Sequence, residues 1–346
     1  MAIDVTLLKS EDFSRWDKFV RSNEEGTFCH LSGWKTVIEK GAGQACPYLI
    51  AKNGGVIVGV LPLTIKRHFL FGKALISNMF CVYGGALGND ESVIDALYEH
   101  AWKMAEESGL PELEIRGDVA NHTKSIDWVS TSDSATFGIT LAETAEEQLL
   151  AIPRKQRAVI RKSLKNGLTT DWNGSLDIFY DLYAQSVLSL GTPVFPKSLF
   201  EELKSTFGDS VQIQITKTKE GQPVASLMSF YFEGTVMPYY AGGTPAVRRL
   251  AAHDFMYYNL MLNAKERGCT QFDFGRSKVD SGPYKFKKNW GFTPTVLPYY
   301  TRLMLGSEKP NLSQQSGPYA TLSKVWKKLP LKVSKVIGPP LARHLG

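Results

Sequence analysis

Tyr240-Ala241-Gly242-Gly243 closes an apolar, aromatic run that begins at Thr235, and Tyr83-Gly84-Gly85 closes a similar run from Leu70 to Val82. Each run follows another strand-like stretch: Gly-Gln-Pro-Val-Ala-Ser-Leu at 221–227, and Gly-Val-Ile-Val-Gly-Val-Leu at 55–61 after the turn signal Asn53-Gly54-Gly55. Beyond each glycine pair, apolar residues recur at the period of one helical face. They are Val93, Leu97, Ala101 and Met104 in the first half, and Ala252, Met256, Leu260 and Ala264 in the second. Both helices stop at a glycine suited to a left-handed cap, Gly109 and Gly268, 24 and 25 residues after the pairs. A strand follows four residues later in each, Leu113-Glu-Ile-Arg116 and Phe272-Asp-Phe-Gly275. Any two α/β segments share the order strand, helix, strand; the turn glycines and the spacing make this a duplicated unit. A hairpin before the helix departs from strict βαβ alternation and points to an α/β (α+β) fold of mixed sheets flanked by helices.

The connection from Glu143 to Asn166 holds a helix opened by Pro153 and stopped near Gly167. Helices follow over Leu176–Leu188 and Lys197–Phe207, and Gly306–Tyr319 reads as a linker. The expected division is 1–145, 146–305, and a linker with basic tail at 306–346. A chain of 346 residues with 43% hydrophobic and 21% charged residues buries a sizeable core, which excludes a disordered chain or a disulfide miniprotein. Cys29, Cys46, Cys81 and Cys269 are far apart and read as buried thiols, not a zinc site or disulfide framework. With no apolar run of the ~18–20 residues that a span requires and no secretory layout at the start, a cytoplasmic protein is expected. From Gly306 to Gly346 seven Lys/Arg face the single acid Glu308, which accounts for the whole net charge of +6. The balanced body argues against a general nucleic-acid binder, so no DNA partner is expected.

The densest chemistry lies in Phe272-Asp-Phe-Gly-Arg-Ser-Lys278 and Gly282-Pro-Tyr-Lys-Phe-Lys-Lys-Asn-Trp-Gly-Phe292. Alternation turns Phe272 and Phe274 to one face and Asp273 to the other, and a carboxylate there needs partners or work. Arg276, Ser277 and Lys278 lie just past the strand tip, where α/β folds gather ligand contacts. Extended, Lys285 and Lys287 share a face opposite Tyr284 and Phe286; helical, Tyr284 meets Lys287 and Lys288 instead. The composition alone also fits a solvated turn over a core.

This segment resembles the signature of Fem-type aminoacyltransferases, which ends in Gly-x-Tyr-x-Phe-Lys-x-x-Phe-Gly. The chain resembles more closely the FemAB-like proteins of the PEP-CTERM/exosortase system. The likeness extends to Gly59-Val-Leu-Pro-Leu63, Tyr83-Gly-Gly85, Ile152-Pro-Arg-Lys-Gln-Arg157, Gly191-Thr-Pro-Val-Phe-Pro196 and Trp326-Lys-Lys-Leu-Pro-Leu331. It implies tandem GNAT-type domains that transfer an acyl group to an amine, from aminoacyl-tRNA or acyl-CoA as co-substrate, with no tightly bound cofactor. The implied acceptor is a nucleotide- or lipid-linked sugar or peptide amine. The resemblance maps the lysine of the Phe-Lys pair onto Lys287, as the stabiliser of negative charge. Asp273 is expected to orient the amine or take its proton, Phe286 and Tyr284 to shape the site, and Arg276, Ser277, Lys278 and Lys285 to hold substrate.

The chain departs from the family pattern where a lysine would follow Trp34 by one helical turn: Ile38 stands there. No long charged helical arm is present, and the GNAT phosphate turn is replaced by Arg248-Arg249-Leu-Ala-Ala-His253, whose arginines would hold phosphate by side chain. Arg154, Lys155, Arg157, Arg161, Lys162 and Lys165 make either a solvated helix face or a phosphate clamp, and the resemblance favours a clamp for Arg157 and Arg161. Tyr83, Trp34 and Thr192 complete the expected substrate contacts. His253 is either structural or a base near neutral pH, and the histidines show no metal spacing. Leu322, Val325, Trp326 and Leu329 with interleaved lysines read as an interfacial anchor or an ordinary docking helix, interrupted by Pro330 and Pro339-Pro340. That tail supports a rival reading, a non-catalytic adaptor recruited to an acidic lipid or polysaccharide-assembly surface at the inner membrane, with peripheral contact through 320–346. A tRNA-binding module is a second rival.

Overall fold

The computed structural model describes residues 3–69, 71–117, 128–307 and 317–346, the last from 321 onward for side chains. In the first half, strands Asp4–Leu7, Leu49–Asn53 and Val56–Leu61 form an antiparallel sheet completed by Leu87–Gly88. A second sheet is ordered Thr64–His68, Gly72–Ser77, Glu112–Arg116, Tyr299–Leu303, Trp128–Thr131. The second half is built on one large sheet, ordered Thr169–Asp171, Val211–Lys217, Pro223–Phe232, Thr235–Gly243, Gln271–Asp273, Ser134–Thr140, with Ser277–Lys278 and Pro294–Val296 on the last strand.

The duplication is visible in the parallel strand pairs. Gly72–Ser77 runs parallel to Glu112–Arg116, and Thr235–Gly243 runs parallel to Gln271–Asp273. The helices Glu91–Glu107 and Ala252–Glu266 bridge them. Asp90 caps the first by accepting from the Val93 N–H, and Gly109 and Gly268 take the left-handed conformation (φ 62° and 83°) that ends each helix. The glycine pairs differ, however. Gly242 and Gly243 lie within their strand, whereas the first-half strand stops at Ser77. There Gly84 and Gly85 both donate N–H to the Arg116 carbonyl, at 2.9 and 3.1 Å. A Cβ on Gly84 would sit 2.6 Å from the Ser77 carbonyl oxygen, so this close crossing requires glycine.

The chain exchanges strands between halves. Ser134–Thr140 pairs with Gln271–Asp273 in the second sheet, and Tyr299–Leu303 returns to pair with Glu112–Arg116 and Trp128–Thr131 in the first. One apolar core also joins the halves: Phe28 stacks on Phe230 at 4.4 Å between centroids, and Trp34 meets Phe207 at 5.9 Å. Such packing fixes the walls of whatever lies between.

The tail differs from expectation at Gly317–Tyr319 and at Pro339-Pro340. Residues 308–316 of the expected linker lie outside the described residues, and from Gly317 the chain is helical as far as Trp326. Pro330 caps a further helix, Leu331–Ala342, and Pro339-Pro340 lies inside it instead of breaking it. Both prolines sit in the final turns, and the Arg343 N–H still donates to the Pro339 carbonyl four residues earlier, as in an ordinary helix.

Candidate active site between the halves

Phe230, Phe232, Thr235 and Met237 share one face of the second sheet, because Phe230 opposes Met237 and Phe232 opposes Thr235. Val236 pairs with Phe272, so Asp273 falls on that same face while Phe272 and Phe274 enter the core behind it. Gly26, Thr27, Phe28 and Tyr83 of the first half cover this face. Between them lies a cavity of about 210 Å³. A neighbouring cavity of about 220 Å³ shares Thr27 and Tyr83 and is further lined by Glu25, His30, Tyr98 and Arg116.

Asp273 accepts three hydrogen bonds. Tyr83 donates to Oδ2 at 2.7 Å, Thr136 donates to Oδ1 at 3.0 Å, and the Gly275 N–H donates to Oδ1 at 2.8 Å. Local geometry explains Thr136. Gly138 lies opposite Asp273 in the antiparallel pair and has no side chain, so the next residue on that face reaches the carboxylate. Burial, reinforced by the Asp273 charge, pushes the Tyr83 phenol well above its ordinary range and keeps it protonated as a donor. A carboxylate so held is aimed into the cavity as an acceptor for an incoming N–H.

Lys287 lies on the helix Gly282–Asn289, so the segment is helical. Ser281 caps it by accepting from the Tyr284 N–H, with Pro283 in its first turn. The Lys287 ammonium is buried and donates to the Gly275 carbonyl at 2.8 Å and the Arg276 carbonyl at 3.2 Å. It lies 5.2 Å from the Phe274 ring centre and 5.4 Å from that of Phe137. Burial lowers its pKa to about 8, against the pull of Asp273. Lys287 thus holds the Gly275 carbonyl while the Gly275 N–H holds Asp273.

Of the residues expected from sequence, Tyr83 and Asp273 line the cavities. Tyr284 packs on Phe137, and Phe286 on Phe274 and Trp290, around the Lys287 helix. Arg276 is exposed over the Tyr299 ring, Lys278 pairs with Asp133 at 3.4 Å, and Lys285 points to solvent. Ser277 is buried, and its hydroxyl has no partner among the described residues. Trp34 is fully buried, its indole N–H donating to the Phe28 carbonyl, so it builds the core behind the cavity. Thr192 is at the end of the helix Leu176–Leu190.

Arg157 and Arg161 line a separate open depression of about 570 Å³ with Arg154, Lys162 and Lys165. Arg157 is partly spent on the Leu150 and Ile152 carbonyls; the other cations of this helix have no ion-pair partner among the described residues. Arg248 is exposed on the short helix Val247–Leu250, whose Leu250 carbonyl accepts from Asn166 at the end of the basic helix. His253 is half-buried and its imidazole is pushed down by burial, so it stays neutral near pH 7.

Sequence reasoning missed Thr136, Thr27 and His30. The alternation of Ser134, Thr136, Gly138 and Thr140 was the available signal for Thr136. His30 is buried and lowered to about 4; its Nε2 faces the Gly85 carbonyl at 3.2 Å and its Nδ1 accepts from Thr27. It is a neutral brace between two cavity walls. No cluster of metal-ligating side chains occurs among the described residues.

Residues 154–288 match the family described as acetyltransferase (GNAT) domain. No curated protein matched the sequence. Among solved structures, FemX aligns over 94% of this chain and 100% of its own, at 15% identity and a TM-score of 0.66. The L-PGS from Bacillus licheniformis covers 96% and 98% at 13% identity and 0.57. A tandem GNAT protein from the clavulanic acid biosynthesis pathway covers 89% and 100% at 13% identity and 0.59. Residues 154–288 are therefore similar to a GNAT acetyltransferase domain, and the chain shares the tandem GNAT fold of these structures.

Proposed function

We propose that the protein is an acyltransferase that joins an acyl or aminoacyl group to an amine in the cleft between its halves. The observation that carries this reading is Asp273, set at the end of the strand Gln271–Asp273, just past its parallel pairing, and facing a cavity walled by both halves. A neutral amine attacks the acyl carbonyl; the C–N bond forms and the bond to the donor's sulfur or ribose oxygen breaks. The proton leaving the amine passes to Asp273 and then to the departing group. Tyr83 and Thr136 orient Asp273, and Lys287 fixes the Gly275 turn that completes its hydrogen bonds.

The donor reading follows the phosphates. Unpaired cations along Arg154–Lys165 extend over roughly 16 Å of helix, longer than one pyrophosphate, which supports aminoacyl-tRNA. The GNAT match supports acyl-CoA as the second reading. The acceptor is proposed to be an amino sugar or peptide amine of a cell-envelope or exopolysaccharide precursor, as the resemblance to FemAB-like proteins of the PEP-CTERM/exosortase system implies, and the reaction cytoplasmic. Intact-mass analysis of such precursors, incubated in parallel with aminoacyl-tRNA and acyl-CoA pools, tests the reading. Transfer that disappears in Asp273→Asn is expected. Absence of transfer from either pool by folded protein would favour the adaptor.

A further inference from the structure

The tail helix Leu331–Ala342 is packed inside out. Ser334, Gly338 and Ala342, one every fourth residue, form its buried face, and Gly338 lies against Val194. Leu331 packs on the core, but three of its larger apolar residues point outward: Val333 is 41% exposed, Val336 73% and Ile337 41%. The preceding helix Gly317–Trp326 adds Leu322 and Val325, each 58% exposed, while Ser323 is turned against Gly191. A docked helix ordinarily does the reverse, burying its larger apolar side chains.

The charges around this face have one sign. Residues 317–346 contain five lysines, one arginine and no aspartate or glutamate. Lys335 is tied to Asp181, but Lys324, Lys327, Lys328 and Lys332 have no ion-pair partner among the described residues. No helix is long and apolar enough among the described residues to cross a membrane. An apolar surface rimmed by free ammonium groups suits a surface that is itself apolar inside and anionic outside. A second copy of this chain fits poorly, because a two-fold contact would set the same lysines against each other.

We propose that the two tail helices form a docking face for an anionic lipid bilayer, with the apolar residues entering the headgroup boundary and the lysines engaging lipid phosphate. None of the apolar residues or lysines of this face lines either cavity between the halves, and its test requires no turnover. The full chain is floated with vesicles of phosphatidylcholine alone or mixed with phosphatidylglycerol. Flotation is expected only with the anionic vesicles, falling as salt rises. Val336→Asp with Ile337→Asp should abolish it, and Lys327→Gln with Lys328→Gln should lower partitioning on the order of tenfold. Val56→Asp, at an apolar residue 64% exposed elsewhere, should leave it unchanged. Unchanged thermal melting of the tail variants confirms that loss of flotation is not unfolding. No flotation with anionic vesicles, or equal flotation of the lysine variant, overturns the proposal. So does a lipid-free dimer in sedimentation that Val336→Asp dissociates, which would assign the face to a second copy.

Discussion

Tyr83 and Asp273, 190 positions apart in sequence and in opposite halves, meet in a 2.7 Å hydrogen bond from phenol to carboxylate. The contact makes the cleft a property of both halves at once. The first half supplies the donor that orients the group proposed to receive the proton, and a wall of the cavity into which that group faces.

Asp273→Asn should lower acyl transfer by about 10²–10⁴ while leaving the fold intact, since the amide cannot take the proton. Tyr83→Phe should cost about 1–3 kcal/mol of stability by removing a hydrogen bond to a charged group. Urea unfolding and single-turnover transfer check the pair. Full activity in Asp273→Asn would remove that residue from the chemistry.

Lys287 gives a pH signature with a definite sign. Its proton is held to about 10.5 in an unfolded chain and given up near 8 in the folded one. Between these values the unfolded state binds more protons, so this group's contribution to stability rises with pH. Below pH 8 both states are protonated and the cost of burying the ammonium stands in full. Relative to Lys287→Met, the native protein should gain on the order of 2 kcal/mol from pH 7.5 to 10.5. Denaturation curves at these two pH values provide the measurement, and an unchanging difference would refute the buried ammonium.

The basic helix separates the donors. Replacing Arg161, Lys162 and Lys165 with glutamine should flatten the dependence of log affinity for RNA on log salt by about two to three units. Transfer from a small thioester donor should be unaffected. Fluorescence titration with tRNA across a salt series reads the slope, and an unchanged slope would leave this face solvated.

The halves should not survive separation. A fragment of residues 1–145 lacks Tyr299–Leu303 and leaves Ser134–Thr140 without the sheet it pairs in. Exposed strand edges of this kind are poorly tolerated. Each fragment should show rapid proteolysis and poor amide dispersion alone. Cooperative unfolding of the isolated first fragment would contradict this.

The sequence by itself determined what depends on neighbours along the chain. Helix faces followed from the spacing of Val93 to Met104 and Ala252 to Ala264. Helix ends followed from the backbone freedom of Gly109 and Gly268, and the outward turn of Asp273 followed from strand alternation. Because those constraints recur at matched intervals, the duplication was legible too. Tertiary structure alone decided which distant segments met. A strand's pattern states which face is buried but not which strand it pairs with, so the crossing of Ser134–Thr140 and Tyr299–Leu303 was hidden, and Thr136 with it. Trp34 and Lys287 carry the same lesson: an indole or an ammonium can serve a ligand or a neighbouring carbonyl, and only the packed chain brings the Phe28 and Gly275 carbonyls within reach.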